Sequence, residues 1–106
     1  MVNMPVQYLF NSSDNWIAFR IGTNVFDTHA KRIGWMPWGD ADVVATNGKY
    51  LGTIVEEDRL FHFFGKPYRG YPGYPGYPGY PGYPEYPGFA GYSPIWSGAK
   101  DVKIPQ

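Results

Sequence analysis

Cysteine is absent from the 106-residue chain, and this excludes disulfides and thiolate metal sites. Excess charge of either sign is absent too. Nine basic residues cancel nine acidic ones, so no basic patch attracts a phosphate backbone, and a nucleic-acid partner is not expected. No apolar run approaches the length of a membrane span. The opening residues Met1-Val2-Asn3-Met4-Pro5 lack the charged and apolar regions of a signal peptide, so the expected location is the cytoplasm. No window carries a helical period. Only two histidines are present, His29 and His62.

What is present is a repeat with a period near 17 over residues 6–70. The recurring template reads apolar strand, turn with Asn, Asp or Gly, apolar residue, then Gly or Ala. Tyr8-Leu9-Phe10 is followed by Asn11-Ser12-Ser13-Asp14 and then Asn15-Trp16-Ile17-Ala18. Val25-Phe26-Asp27 is followed by Thr28-His29-Ala30-Lys31 and then Arg32-Ile33-Gly34-Trp35. Val43-Val44-Ala45 leads through Thr46-Asn47-Gly48-Lys49 to Tyr50-Leu51-Gly52. Leu60-Phe61-His62 leads through Phe63-Phe64-Gly65-Lys66 to Pro67-Tyr68-Arg69-Gly70. Short runs rich in Val, Ile, Phe, Tyr and Trp, separated by turn residues, are β-hairpins. Asn47-Gly48 is the strongest turn signal and points to a type I′ turn with positive φ at both residues. The fold class is therefore all-β, with four short antiparallel hairpins. A single hairpin is marginal in water, so the four are expected around a pseudo-fourfold axis, each burying one face on its neighbours. Ala18, Gly34 and Gly52 share one template position, where a small residue lets backbones approach. Trp16 and Trp35 are expected to help fill the core.

Leu9-Phe10-Asn11, Ile33-Gly34-Trp35 and Asn47-Gly48-Lys49-Tyr50-Leu51-Gly52 resemble the four-fold β-flower domain of bacterial proteins of unknown function. The resemblance covers roughly residues 6–65. Trp96-Ser97 fits the way such proteins end. The tail departs from it, since a Lys-, Val- and Pro-rich repeat is associated with that family and this one is Gly-Tyr-Pro. The resemblance implies a fold and no activity.

The chain divides into a four-hairpin domain (1–66), a tail (67–93) and a C-terminal segment (94–106). Gly-Tyr-Pro occurs five times in succession from Gly70 to Pro84, and an aromatic recurs at every third position from Tyr68 to Tyr92. Each Tyr precedes a Pro and is pushed to extended angles, and each Pro has φ near −65° and no N–H. Helix and central strand are excluded. Glycine decides what remains: negative φ gives a polyproline II rod, and φ near +80° gives successive type II turns. Glu85 interrupts the glycine period, which argues against a collagen helix. A straight rod over residues 70–93 would span roughly 74 Å at about 3.1 Å per residue. The domain it leaves would be under about 30 Å across. The tail must therefore bend around the domain, contract, or run on to other chains.

The candidate chemistry is sparse. Asp27, His29, Asp40 and Asp42 match no metal-ligand spacing and read as turn residues. Glu56-Glu57-Asp58 reads as a solvated turn rather than a catalytic carboxylate pair. No phosphate loop and no nucleophile motif is present. The expectation is a non-enzymatic protein with no catalytic residue, metal or cofactor. Its expected role is structural: a self-assembly or interaction module that forms a homo-oligomer through its tail. The interaction residues expected to carry this are Trp38, Tyr71, Tyr74, Tyr77, Tyr80, Tyr83, Tyr86 and Trp96. The alternative is a module that binds an outside proline-rich peptide or glycan through exposed Trp and Tyr.

Overall fold

The computed structural model describes residues 6–104 except 74, 77, 78, 80 and 89. The described residues are all-β, without helix. The strands are β1 (Val6–Phe10), β2 (Trp16–Ile21), β3 (Asn24–Asp27), β4 (Arg32–Trp35), β5 (Asp42–Ala45), β6 (Tyr50–Val55), β7 (Arg59–Phe63) and β8 (Ala99–Asp101). Consecutive strands pair antiparallel. β7 then returns to β1 through a parallel bridge at Phe10 and Arg59, so seven strands close a barrel. The Phe10 N–H donates to the Asp58 carbonyl at this seam, 2.8 Å away. No helix among the described residues is long and apolar enough to cross a membrane.

Three hairpins share one loop. In 11–15, 27–31 and 45–49 the first residue donates its N–H to the carbonyl of the fifth: Asn11 to Asn15 at 3.0 Å, Asp27 to Lys31 at 2.8 Å, Ala45 to Lys49 at 2.7 Å. The fourth residue, Asp14, Ala30 or Gly48, donates back to the first carbonyl. That fourth residue has φ of 65°, 64° and 89° respectively. This is the three-residue hairpin loop, a type I turn followed by a left-handed residue and a bulge. The register shifts at Leu9/Phe10, Val25/Phe26 and Val43/Val44 mark the bulge in each copy. The type I′ expectation at Asn47-Gly48 is corrected here, because Gly48 has positive φ and Asn47 does not. Asx side chains brace the loops. Asn11 Oδ1 accepts from the Ser13 and Asn15 N–H groups, and Asp27 Oδ1 from those of His29 and Lys31. Ala45 has no such oxygen, and Asn47 Oδ1 takes the Lys49 N–H instead.

The fourth hairpin is split. Gly65, at φ 74°, takes the left-handed place, but the chain does not return beside β7. The expected strand at 67–70 is not formed. Pro67 has no N–H to offer a ladder, and the Tyr-Pro steps that follow repeat the problem. Ala99–Asp101 pairs with β7 in its place, with Phe61 opposite Asp101. The Phe64 N–H closes the pair onto the Gly98 carbonyl at 2.8 Å.

Equivalent positions of the four copies build the core. Leu9, Val25, Val43 and Leu60 lie one on each odd-numbered strand, and all are fully buried. Burying such a side chain is worth roughly 1.5–3 kcal/mol. Opposite the first three sit the small residues, in the pairs Leu9–Ala18, Val25–Gly34 and Val43–Gly52. A Cβ on Gly34 would lie 2.7 Å from the Val44 carbonyl oxygen. A Cβ on Gly52 would lie 2.8 Å from Val102, which enters the same cluster just past β8. The centre is thus aliphatic. Trp16 and Trp35, expected there, are only half-buried, and Trp16 packs on a second cluster of Phe19, Phe26 and Ala30 outside the first two hairpins.

The described tail residues form no regular secondary structure, and their glycines stand at positive φ. Gly70, Gly73, Gly76, Gly79, Gly82, Gly88 and Gly91 have φ between 76° and 93°. Yet the described residues from 66 to 96 contain no turn, bend or strand. The molecule measures 40 × 36 × 26 Å, so the tail does not run on as a straight 74 Å rod.

Candidate interaction surface of the aromatic tail

Two anchors hold the tail against the barrel. At its root, Asp42 opens β5 with a carboxylate that is almost fully buried. It accepts from Lys66 Nζ at 3.0 Å, Arg69 Nη1 at 3.0 Å and the Thr53 hydroxyl at 2.8 Å. A buried carboxylate needs such partners to offset its lost hydration. Arg69 also reaches the exposed Asp40 at 2.7 Å. The Asp42 N–H and the Arg69 guanidinium hold the Asp40 carboxyl below its ordinary range, and the same contact raises Arg69. The Arg69 guanidinium lies 4.8 Å over the Trp38 ring, and Lys66 lies 5.9 Å over Tyr50.

At the far end, Arg59 is buried at the barrel seam. Its Nη1 donates to the Asn11 carbonyl at 2.8 Å, and its Nη2 to the carbonyls of Ala90 and Gly91. Asp58 flanks it at 3.5 Å. The guanidinium fork matches carbonyls presented from two segments at once, and thereby ties residues 90–91 to the first hairpin loop. Asp14 in that loop accepts the Ala90 N–H at 2.6 Å, and the Ser93 N–H donates to the Ser12 carbonyl at 3.2 Å. Ser12 in turn gives its hydroxyl and N–H to the two oxygens of Asp101 on β8, at 2.7 and 2.9 Å. Arg59, Asp42, Arg69 and Ser12 were not among the expected interaction residues. An Arg directly after Glu56-Glu57-Asp58 reads locally as a neutralised turn, and nothing in its neighbourhood announces burial.

The expected residues fall into distinct places. Trp38 stands beside the tail root under Arg69. The Tyr71 ring leans on Gly48, its nearest carbon 3.5 Å from where a Cβ would stand. Tyr86 meets Trp16 edge-on at 5.8 Å, and Trp96 meets Phe63 edge-on at 6.1 Å. Tyr83 lies between the anchors. Tyr74, Tyr77 and Tyr80 lie outside the described residues. Tyr68, Tyr71, Tyr83, Tyr86 and Tyr92 are 66–82% exposed. The tail is therefore attached through its backbone, its cations and ring contacts of Tyr71 and Tyr86, while most of the surface of its described tyrosines stays exposed.

A pocket of about 220 Å³ lies where the tail leaves the barrel. Its walls are Trp38, Val44 and Tyr50 from the barrel and Pro67 and Tyr68 from the tail, with Gly48 at its edge. The ion-paired Asp42, Lys66 and Arg69, together with Lys49, complete its lining.

The other candidate groups have structural partners or lie in exposed turns. Asp27 braces its own loop, and Glu56 and Glu57 are exposed turn residues. Asp40 and Asp42 are engaged by Lys66 and Arg69. His62 Nδ1 lies 3.0 Å from the Leu51 carbonyl. Among the described residues no group of three or more His, Asp or Glu side chains converges as a metal site. No family model, no curated protein and no solved structure matches the chain.

Proposed function

We propose that the protein is a non-enzymatic structural and interaction module. A small β-barrel presents an aromatic strap to its own surface and to neighbouring copies. The observation that carries this reading is where the exposed apolar side chains lie. Tyr68, Tyr71, Tyr83, Tyr86, Tyr92, Ile95 and Trp96 are all on the tail or just after it. Among the described residues only Val6 and Phe64 join them from the barrel. Exposed aromatics in one contiguous segment mark an interaction surface rather than a folding requirement. Holding the segment at both ends reduces the ordering cost of association. Net neutrality favours a protein partner over a polyanion. The equivalence of Leu9, Val25, Val43 and Leu60 supports a domain of the four-fold β-flower kind.

The test is the mass in solution of the full chain, by sedimentation over a range of concentrations. It is compared with a variant carrying Tyr71→Ser, Tyr83→Ser and Tyr92→Ser. These side chains are mostly exposed, and a far-UV CD spectrum matching that of the full chain checks that the variant folds. The full chain is expected to associate and the variant to be monomeric. A full chain that stays monomeric throughout overturns the reading.

A further inference from the structure

We propose that the pocket beside the tail root is the receptor for a Tyr-Pro unit from the tail of a second copy. This names the partner surface for the self-association read above and rests on that reading.

Three observations carry it. The first is the wall chemistry. Trp38, Tyr50 and Tyr68 supply aromatic faces, and such faces are what proline and tyrosine rings pack on. The second is that the protein already places a Tyr-Pro unit at this edge. Two ring carbons of Tyr71 lie 3.5 and 3.6 Å, and Pro72 Cδ 3.9 Å, from the point a Cβ on Gly48 would occupy. A Tyr-Pro unit of another tail therefore extends an interface that exists within the chain. Gly48 also has φ 89°, so the left-handed loop that places it leaves the edge bare of a side chain. The third is size. The volume, about 220 Å³, is below the roughly 300–1,000 Å³ of a site for a drug-sized molecule and suits a side chain or two. Every copy carries several neutral Tyr-Pro units.

The experiment uses the full chain labelled with ¹⁵N. A capped peptide, Gly-Tyr-Pro-Gly-Tyr-Pro-Gly, is titrated in, and the Gly48 amide and the Trp38 indole N–H are followed. The control peptide has Ser in place of Tyr. The expected result is a saturable shift of both signals with the tyrosine peptide and none with the control. Tyr68→Ala should weaken the response about tenfold, the effect of removing one aromatic wall worth about 1.4 kcal/mol. Tyr68 is highly exposed, so its loss leaves the barrel intact; Trp38→Ala is the second variant. The proposal is overturned if neither signal moves, or if the serine peptide moves them equally. It is also overturned if a soluble oligosaccharide such as maltotriose saturates these signals and the peptide does not, which assigns the pocket to a glycan. Sedimentation separates this failure from failure of the broader reading. Oligomers whose Gly48 and Trp38 signals ignore the peptide overturn the pocket assignment alone. A monomer that binds the tyrosine peptide overturns self-association and leaves the Tyr-Pro selectivity of the pocket standing.

Discussion

The barrel and the tail both depend on glycine, for opposite reasons. Gly34 and Gly52 are buried in strands where an added Cβ would strike a backbone carbonyl oxygen at 2.7 and 2.9 Å. The tail glycines from Gly70 to Gly91 have nothing within 4 Å of that position, yet all stand at positive φ. In the barrel, glycine answers a shortage of space. In the tail it answers a backbone angle that other residues reach only with strain. The aromatics divide the same way. Phe19 and Phe61 are fully buried, whereas the described tail tyrosines are mostly exposed. Packing therefore holds the barrel, while polar anchors and a few edge contacts of rings hold the tail.

The largest effect should come from filling the barrel's missing space. Gly34→Val should cost about 3 kcal/mol or more, because the Val44 carbonyl is backbone and cannot swing aside. Thermal unfolding should shift down by more than about 10 °C, and an unchanged midpoint would break the contrast on the barrel side. Next in size is Arg59→Met, which fills the same volume without donors. It leaves the Asn11, Ala90 and Gly91 carbonyls without their charged partner, a loss of about 2 kcal/mol. Hydrogen exchange should quicken at Ala90 and Gly91 while Val43 and Val44 stay protected. If all four exchange alike, the tail end is not an independently releasable element.

A gain is expected at the loop between β6 and β7. Glu56 and Glu57 have φ of 53° and 69°, a left-handed pair of non-glycine residues. Glu57→Gly should raise stability by up to about 1 kcal/mol, read as a higher melting point. A lower one would mean that the Glu57 side chain contributes contacts that outweigh the strain. Gly76→Ala probes the tail. Its φ of 77° makes alanine strained, but the segment can yield locally, so global stability should fall by less than about 0.5 kcal/mol. A drop as large as that of Gly34→Val would show the tail to be part of the cooperative core.

The smallest effect concerns pH at the tail root. Asp40 is held below its ordinary value of 3.8, first by the Asp42 N–H and then by Arg69. A lowered carboxyl stabilises the folded form above the unfolded value and loses that contribution as pH falls through the folded one. The Arg69 contact should therefore loosen only below 3.8. Because Asp40 is exposed, solvent screening keeps the effect local. The Arg69 side-chain signals should move over that range in the native protein and move less in Asp40→Asn, where Asp42 remains as a partner. Movement near neutral pH instead would assign the contact to another group.

Much of the barrel was legible because its signals are local. The strand-turn-strand template located three loops within a residue, and the shared small position at Ala18, Gly34 and Gly52 identified where backbones close in. The turn type at Asn47-Gly48 was misread because the residue pair fits two loops. A bulge one residue earlier, between Val43 and Val44, selects the looser one. The tryptophans were misplaced because size suggested a core that small aliphatic residues fill more evenly. At the candidate surface, Trp38 and Tyr71 were legible as a tip and a repeat. Asp42 and Arg59 were not, since burial of a charge depends on partners contributed from distant segments, Lys66 and Arg69 for Asp42 and Asn11, Ala90 and Gly91 for Arg59.

The sequence by itself determined the all-β class, the repeated hairpin and a tail that can be neither helix nor inner strand. These follow from φ restrictions and side-chain alternation, which act between neighbours. Only the tertiary structure decided that the fourth hairpin takes its second strand from Ala99–Asp101 and that Arg59 is buried to hold Ala90 and Gly91. Tertiary contact likewise made a pocket between Trp38 and Tyr68. Each of these joins segments far apart in the chain. The free energy of such a contact comes from desolvation and hydrogen bonding after the chain has closed, and no local pattern of residues encodes it.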